Sequence, residues 1–275
     1  MALYDIDPTN SPATSPIGSS HRTSTGFWRR TIGEATAVAT PPVLSGVDGL
    51  PEWVQAFDLT FSGFGGDPVR AWLVLPRRPQ GPPVGGVVHL AGYSGGRGEV
   101  TDHLGWAGLG LAVLAMDSRG QGWTSAGVTG DPHGTSGPAV PGLLTQGIES
   151  PETLYHRRLI TDAVRAVATL QAHPAVDADR VGAPEPARVG TGTGRGRAGR
   201  RRSRRGDRRA VPLPFPARSP GHRQPIAYGE IRRYLGTYRD RVDQVFATLD
   251  HVDGVDLAAR GTCPALFSVA LMNLR

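Results

Sequence analysis

The sequence predicts an α/β fold, a mostly parallel sheet flanked by helices. Two continuous apolar runs, residues 86–91 and 111–116, are typical of buried parallel strands. A polar, glycine-rich loop follows each run directly, at the strand end where α/β proteins place their chemistry. Apolar residues at helical spacing recur later in the chain. At 275 residues the chain suffices for one large domain and requires no second.

The first part of the chain divides into coil and an antiparallel pair. Residues 6–25 are rich in Ser, Thr and Pro without a hydrophobic period, which predicts coil. Residues 58–63 and 69–75 alternate apolar and polar side chains between Gly and Pro, which predicts two antiparallel strands.

Two amphipathic helices are expected in the second half. Ser150 and Pro151 have the order of an N-cap and a first helical position, and Pro174 ends the pattern. A second helix is expected from Ile231 to Leu249. The final apolar run, residues 265–272, predicts another buried strand.

Residues 183–224 do not fit this pattern. They contain 12 Arg against two acidic residues and hold few large apolar side chains. Such a composition buries too little surface to offset its ordering entropy, so we expect a disordered segment. Because the whole chain has a net charge of +6, the residues outside this segment are slightly acidic in sum.

Composition excludes several classes of protein. One cysteine, Cys263, permits neither an intrachain disulfide nor a cysteine-built metal site. No apolar stretch approaches the roughly 20 residues that span a membrane, and the first residues hold no apolar leader run. A cytoplasmic protein without a membrane partner is therefore expected.

Six motifs in register make the sequence similar to a known family. They include Gly-Tyr-Ser-Gly-Gly-Arg-Gly at 92–98 and Asp-Ser-Arg-Gly-Gln-Gly at 117–122. The others lie at 58–66, 145–158, 161–167 and 263–272. Together they resemble the acetylxylan esterase/cephalosporin C deacetylase family over roughly 26–182 and 225–272.

This resemblance implies an α/β-hydrolase with a Ser-His-Asp triad, which removes acetyl groups from short xylo-oligosaccharides and cephalosporin C. In such a triad the serine attacks the acetyl carbonyl, the histidine takes its proton and the aspartate fixes the imidazole. The resemblance also implies no metal, no organic cofactor and a homo-oligomer.

The resemblance assigns roles to two loops. Tyr93 matches the residue whose backbone N–H binds the oxyanion. Arg119, Gly120 and Gln121 match a signature beside the active site, for which we expect mainly a loop-organising role, with direct substrate contact as the alternative.

The triad itself does not match. The position of the family's serine falls near Ala187, where neither a serine nor the glycines of a nucleophile elbow are present. The position of the family's aspartate falls on Asn273, whose amide cannot stabilise an imidazolium. The position of the family's histidine lies beyond Arg275. We therefore predict an incomplete, truncated domain with little or no activity and poor folding.

Ser94 is an alternative nucleophile, because residues 92–96 formally read G-x-S-x-G. An elbow leads directly into a helix, whereas Ser94 precedes Gly-Gly-Arg-Gly, so an oxyanion loop is favoured. Among the histidines, His89 is expected in the core. His251 beside Asp250 and Asp253 most resembles a base with an orienting acid, but chance adjacency at a helix end is favoured.

Two hypotheses account for residues 183–224. Out-of-frame reading of GC-rich DNA yields Arg, Gly, Pro and Ala in excess, and a chain without lysine indicates such a gene. The segment is then a frameshifted stretch. The alternative is an Arg-rich nucleic-acid-binding arm on a degenerate hydrolase scaffold, which its near lack of aromatic residues disfavours.

Overall fold

A computed structural model of the chain describes residues 20–77, 81–134, 142–183, 226–253 and 257. The described strands are β1 (Val43–Val47), β2 (Val54–Ser62), β3 (Pro68–Pro76), β4 (Val84–Leu90), β5 (Ala112–Met116) and β6 (Val176–Gly182). The described α-helices are α1 (Ser20–Ala37), α2 (Leu104–Gly108), α3 (Tyr155–Gln171), α4 (Ile226–Thr237) and α5 (Val242–Leu249).

The six described strands form one mixed sheet in the order β1-β2-β3-β5-β4-β6. Strands β1, β2, β3 and β5 pair antiparallel, whereas β4 pairs parallel with both β5 and β6. The α/β class, the antiparallel pair and the two neighbouring parallel strands are thereby confirmed. The parallel part of the described sheet is confined to β5, β4 and β6.

Both faces of the sheet are covered, which explains the strand patterns. Along β2, Leu59 and Phe61 pack under α3, whereas Val54 and Ala56 point to the opposite face, where Ala107 of α2 lies. Side chains of a strand alternate between the two faces of the sheet, and in the central strands both faces are apolar. The sequences of these strands are therefore continuous apolar runs. A third cluster joins α1, α4 and α5 through residues such as Phe27, Tyr234 and Val245.

The N-terminal coil prediction is wrong for residues 20–25, because α1 begins at Ser20. Its apolar side chains are few, but Phe27 and Trp28 are buried against α5 and the turns before α3. Tertiary packing thus supports a helix that the local composition does not favour. Residues 6–19 lie outside the described part of the chain.

The predicted start of α3 is also wrong. The Ser150 hydroxyl accepts the Glu152 N–H at 3.1 Å, as an N-cap would, but the chain then turns again. Leu154 adopts an extended conformation with ψ 129°, and the helix starts at Tyr155. Thr153 Oγ1 donates to the Gly147 carbonyl at 2.8 Å, which closes the turns ahead of the helix.

The helix expected from Ile231 to Leu249 is two helices. Tyr238 leaves the helical region with ψ 69°, and a short 3₁₀ turn at Arg239–Arg241 leads into α5. Gly236 lies just before the break, where glycine weakens the last turn of α4. The strand predicted at 265–272 lies outside the described residues.

Candidate functional site

The loops after β4 and β5 meet at one end of the parallel strands. The Gly96 N–H donates to the Ser125 carbonyl at 3.0 Å and the Gly98 N–H to the Ala126 carbonyl at 2.9 Å. Asp117, fully buried directly after β5, accepts further N–H groups at 2.6–3.1 Å, from Arg97, Val128 and Thr129. The two motif loops predicted at strand ends therefore form one hydrogen-bonded unit.

Tyr93 lies in the first of these loops and is held through its hydroxyl. That hydroxyl donates to Glu230 Oε1 and accepts the Leu143 N–H at 2.8 Å. Its ring meets Trp123 edge-on at a centroid distance of 6.2 Å. Burial, together with the hydrogen bond to Glu230, raises the pKa of Tyr93 above its usual range, so the hydroxyl remains a donor.

The backbone around Tyr93 is fixed on the side of Ser94. The Ser94 N–H donates to Gln121 Oε1 at 2.5 Å, and the Ser94 carbonyl accepts the N–H groups of Trp123 and Thr124, both at 3.1 Å. No described backbone carbonyl accepts the Tyr93 N–H. The loop is therefore held at Ser94, while the Tyr93 N–H, the predicted oxyanion donor, has no backbone acceptor among the described residues.

Gln121 connects this loop to the helix α3. Its Nε2 donates to the Tyr155 hydroxyl at 2.8 Å, and that hydroxyl donates to the Arg119 carbonyl at 2.6 Å. Gly120 has φ +66°, and its N–H bonds to the Thr129 carbonyl at 2.8 Å. The side chain of Gln121 thus spans the two loops from a buried position.

Arg119 has no exposed surface and faces carboxylates. It makes a double contact with Asp162 of α3, Nε–Oδ2 2.6 Å and Nη2–Oδ1 2.8 Å, and its Nη1 also reaches Asp67 and Asp131. Burial alone would lower the pKa of Arg119, but the hydrogen bonds and charges of these carboxylates raise it. Its guanidinium therefore ties the β5 loop to α3.

Ser94 combines features for and against a nucleophile. Its φ of +74° is rare outside glycine and is the kind of backbone strain found in an elbow. However, Ser94 is only 8 % exposed, its hydroxyl donates to Thr124 Oγ1 at 3.1 Å, and residues 95–99 form loop rather than helix.

The described histidines make no contact with a hydroxyl nucleophile. His251 Nδ1 lies 3.0 Å from the Ala247 carbonyl, and its ring packs on Phe27. The rings of His89 and His103 lie 5.2 Å apart near the end of β4, tilted by 58° to each other. Among the described residues, no three His, Cys, Asp or Glu side chains are grouped to hold a metal ion, and no helix is long and apolar enough to cross a membrane.

The predicted triad positions, Ala187 and Asn273, and the chain end at Arg275 lie outside the described residues. So does the Arg-rich segment, apart from Ala183 at its start. Within the described part of the chain lie the predicted oxyanion loop, residues 92–98, and the side chains that hold it.

Sequence reasoning missed the partners that hold this loop. Glu230, Tyr155 and Asp162 are buried, and each contacts a predicted loop residue from a distant part of the chain. The detectable signal was a charge on an apolar helix face. Glu230 lies one turn from the buried Tyr234, and Asp162 lies one turn from the buried Leu159 and Ala166.

Comparisons with known proteins identify relatives of the same fold. The family model described as acetyl xylan esterase (AXE1) matches residues 15–274. The acetyl xylan esterase from Paenibacillus sp. R4 superposes with a TM-score of 0.69 at 23% identity, covering 90% of this chain and 81% of that one. Acetyl xylan esterase 1 from Thermoanaerobacterium sp. JW/SL YS485 gives 0.67 at 22% identity, covering 90% and 80%.

Proposed function

The chain belongs to the acetyl xylan esterase family, and from this premise we propose that it is a hydrolase for small acetyl esters that has lost its turnover. The proposed substrates of the intact site are acetylated xylo-oligosaccharides and cephalosporin C, as the family resemblance implies. The proposed chemistry is serine attack on the acetyl carbonyl with a Ser-His-Asp triad.

One observation carries the ester-binding part of the proposal. The loop that contains Tyr93 is anchored on one side through Gln121 and on the other through Glu230, while the Tyr93 N–H has no described backbone acceptor. In acyl transfer this N–H would donate to the carbonyl oxygen as it becomes an oxyanion. Fixed donors need no rearrangement during the reaction, which is the source of their catalytic effect.

The loss of turnover is proposed from two sequence positions. Alanine at 187 provides no nucleophile at the position of the family's serine, and asparagine at 273 provides no carboxylate at the position of its aspartate. In a serine hydrolase, removal of the nucleophile lowers kcat by on the order of 10⁶. The residual rate then comes from oxyanion stabilisation and binding alone.

Hydrolysis of 4-nitrophenyl acetate tests this proposal. The purified chain should give no burst of 4-nitrophenol, because no acyl-enzyme forms, and a residual rate at most about 10³–10⁴-fold above water. A stoichiometric burst, or a kcat in the usual range of roughly 1–10³ s⁻¹, would contradict the loss of turnover. If a burst is seen, Ser94→Ala decides whether Ser94 is the nucleophile, since the variant would abolish it.

Sequencing of the coding DNA tests the frameshift hypothesis for residues 183–224. All three frames should be read across these codons and around codon 273. A G-x-S-x-G near codon 187 and an aspartate codon at 273 in another frame would support it. If neither the G-x-S-x-G nor the aspartate codon occurs in any frame, the frameshift hypothesis is wrong. Residues 183–224 are then an inherited part of the protein.

Homo-oligomeric assembly and catalysis without a metal or organic cofactor are proposed from the family resemblance. Action in the cytoplasm is proposed from the composition of the sequence. A chain with a restored triad allows the two substrate classes to be distinguished. Chromatography would compare acetyl release from acetylated xylo-oligosaccharide with that from cephalosporin C.

A further inference from the structure

Glu230 reaches from α4 into the loop that contains Tyr93. Its two carboxylate oxygens have different partners: Oε1 accepts the Tyr93 hydroxyl, and Oε2 accepts the Leu144 N–H at 2.9 Å. The residue is 6 % exposed and lies 137 positions from Tyr93 in the chain. One buried carboxylate therefore joins three segments that are distant in sequence.

The segment before α3 is shaped around this carboxylate. Gly142 has φ +124°, and a Cβ at that position would lie 2.0–2.2 Å from the carboxylate atoms of Glu230. Glycine is required there by both the backbone conformation and the space. The Leu143 N–H completes the arrangement by donating to the Tyr93 hydroxyl.

Among the described residues, no basic side chain forms an ion pair with Glu230. Arg241, in the same helical cluster, pairs with Glu149 instead. Burying a carboxylate among neutral donors is costly unless each oxygen is hydrogen-bonded, as both are here. Helix docking alone would be served as well by an apolar side chain at this position.

We propose that Glu230 is the positioning residue of the oxyanion loop: through the Tyr93 hydroxyl it holds the loop in one conformation, with the Tyr93 N–H presented to the substrate. The role in ester binding rests on the proposed function. Gln121 fixes the loop at the Ser94 N–H, and Glu230 fixes it at the Tyr93 side chain. Because the Tyr93 ring is anchored in this way, the peptide between Tyr93 and Ser94 has a fixed orientation.

Hydrogen exchange of the loop tests the proposal without any ligand. Amide exchange over residues 92–98 is measured by mass spectrometry in the wild type, Glu230→Gln and Tyr93→Phe. An amide at 230 cannot accept from both donors, and phenylalanine at 93 has no hydroxyl. Loss of one hydrogen bond to a charged group should speed loop exchange about tenfold in either variant. The effect of the double variant should be smaller than the two single effects combined, because both changes act on the contact between Glu230 and the Tyr93 hydroxyl.

Tyr234→Phe is the matched control, because Tyr234 lies one turn further along α4. Its hydroxyl bonds to Glu149 at 3.3 Å and to Arg241 at 3.2 Å, so the variant weakens helix docking without touching Tyr93. Loop exchange should keep the wild-type rate. If Glu230→Gln and Tyr93→Phe behave like this control, Glu230 only docks α4 and the proposal is wrong.

A second measurement connects the loop to esters. Residual hydrolysis of 4-nitrophenyl acetate should fall about tenfold in kcat with Glu230→Gln, at little change in KM, and remain unchanged with Tyr234→Phe. Equal kcat in all three proteins would overturn the catalytic part of the role. If loop exchange responds to Glu230→Gln but the wild type neither binds nor hydrolyses any acetyl ester, the positioning stands and the proposed function fails.

Discussion

Arg119 and Asp162 form a doubly bonded ion pair in which neither side chain has exposed surface, with contacts of 2.6 and 2.8 Å. The same carboxylate accepts the Phe64 N–H at 2.8 Å and lies over Gly63, where a Cβ would meet its Oδ1 at 2.2 Å. The pair connects the loop after β5 to α3 and to the turn between β2 and β3. It places the signature arginine away from solvent, in a supporting position.

Arg119→Lys should destabilise the protein by about 3 kcal/mol. An ammonium cannot reproduce the two parallel hydrogen bonds to Asp162 while also reaching Asp67, so part of the buried carboxylate charge is left uncompensated. Urea unfolding measures the change. Arg30→Lys is the control, because Arg30 pairs with Glu152 at the surface and should cost less than about 0.5 kcal/mol. Equal effects of the two variants would show that burial of the Arg119 pair has no energetic consequence.

Gln121→Glu should destabilise the protein by about 2–4 kcal/mol at neutral pH. The carboxylate keeps an acceptor for the Ser94 N–H but loses the N–H that Tyr155 accepts, and it places an unpaired charge in a buried position. Unfolding of the single and double variants with Tyr155→Phe checks this mechanism. The cost should shrink in the Tyr155→Phe background, because the tyrosine oxygen that faces the new charge is gone. Additive effects would exclude coupling between the two residues.

Gly142→Ala should destabilise the protein by about 2 kcal/mol and speed exchange in residues 92–98. The new methyl group displaces the Glu230 carboxylate, which then loses Tyr93 and Leu144, and φ +124° is unfavourable for alanine. Gly236→Ala is the matched control. Gly236 is helical with no neighbouring atom within 4 Å of its Cβ position, so the change should stabilise by up to about 1 kcal/mol. A stable Gly142→Ala protein with unchanged loop exchange would contradict the packing described for Glu230.

Acidification should destabilise the protein through His156. Burial, aided by the charge of Arg158, lowers the pKa of His156 to about 4. An unfolded histidine titrates near pH 6.5, so between about pH 6.5 and 4 only the unfolded state gains the proton. Stability is therefore present above pH 6.5 and should fall by about 2 kcal/mol on going to pH 4.5.

The variant His156→Gln isolates this titration. Its unfolding free energy is measured in urea at pH 7.0, 5.5 and 4.5. On going to pH 4.5 it should fall by about 2 kcal/mol less than that of the wild type. An identical slope in the wild type and His156→Gln would show that His156 does not resist protonation in the folded state.

The sequence by itself determined the class of the fold, the antiparallel pair at residues 58–75, the two parallel strands with their loops, and the family. These features depend on local periodicity and on motifs within short segments. Both can be recognised without knowing which residues pack against the segment. The helix at Ser20 and the late start at Tyr155 were not predicted, because burial of Phe27 and Trp28 and the turn around Ser150 override local composition and capping signals.

Only the tertiary structure decided how the candidate site is held. Tyr93, Arg119 and Gln121 were predicted from their motifs, but their partners, respectively Glu230, Asp162 and Tyr155, lie 34 to 137 residues away in the sequence. A hydrogen bond between distant segments leaves no periodic trace. The charge of Glu230 or Asp162 on an apolar helix face can be seen in the sequence, but it does not identify the partner. Contact across the fold, rather than position along it, gives these residues their role.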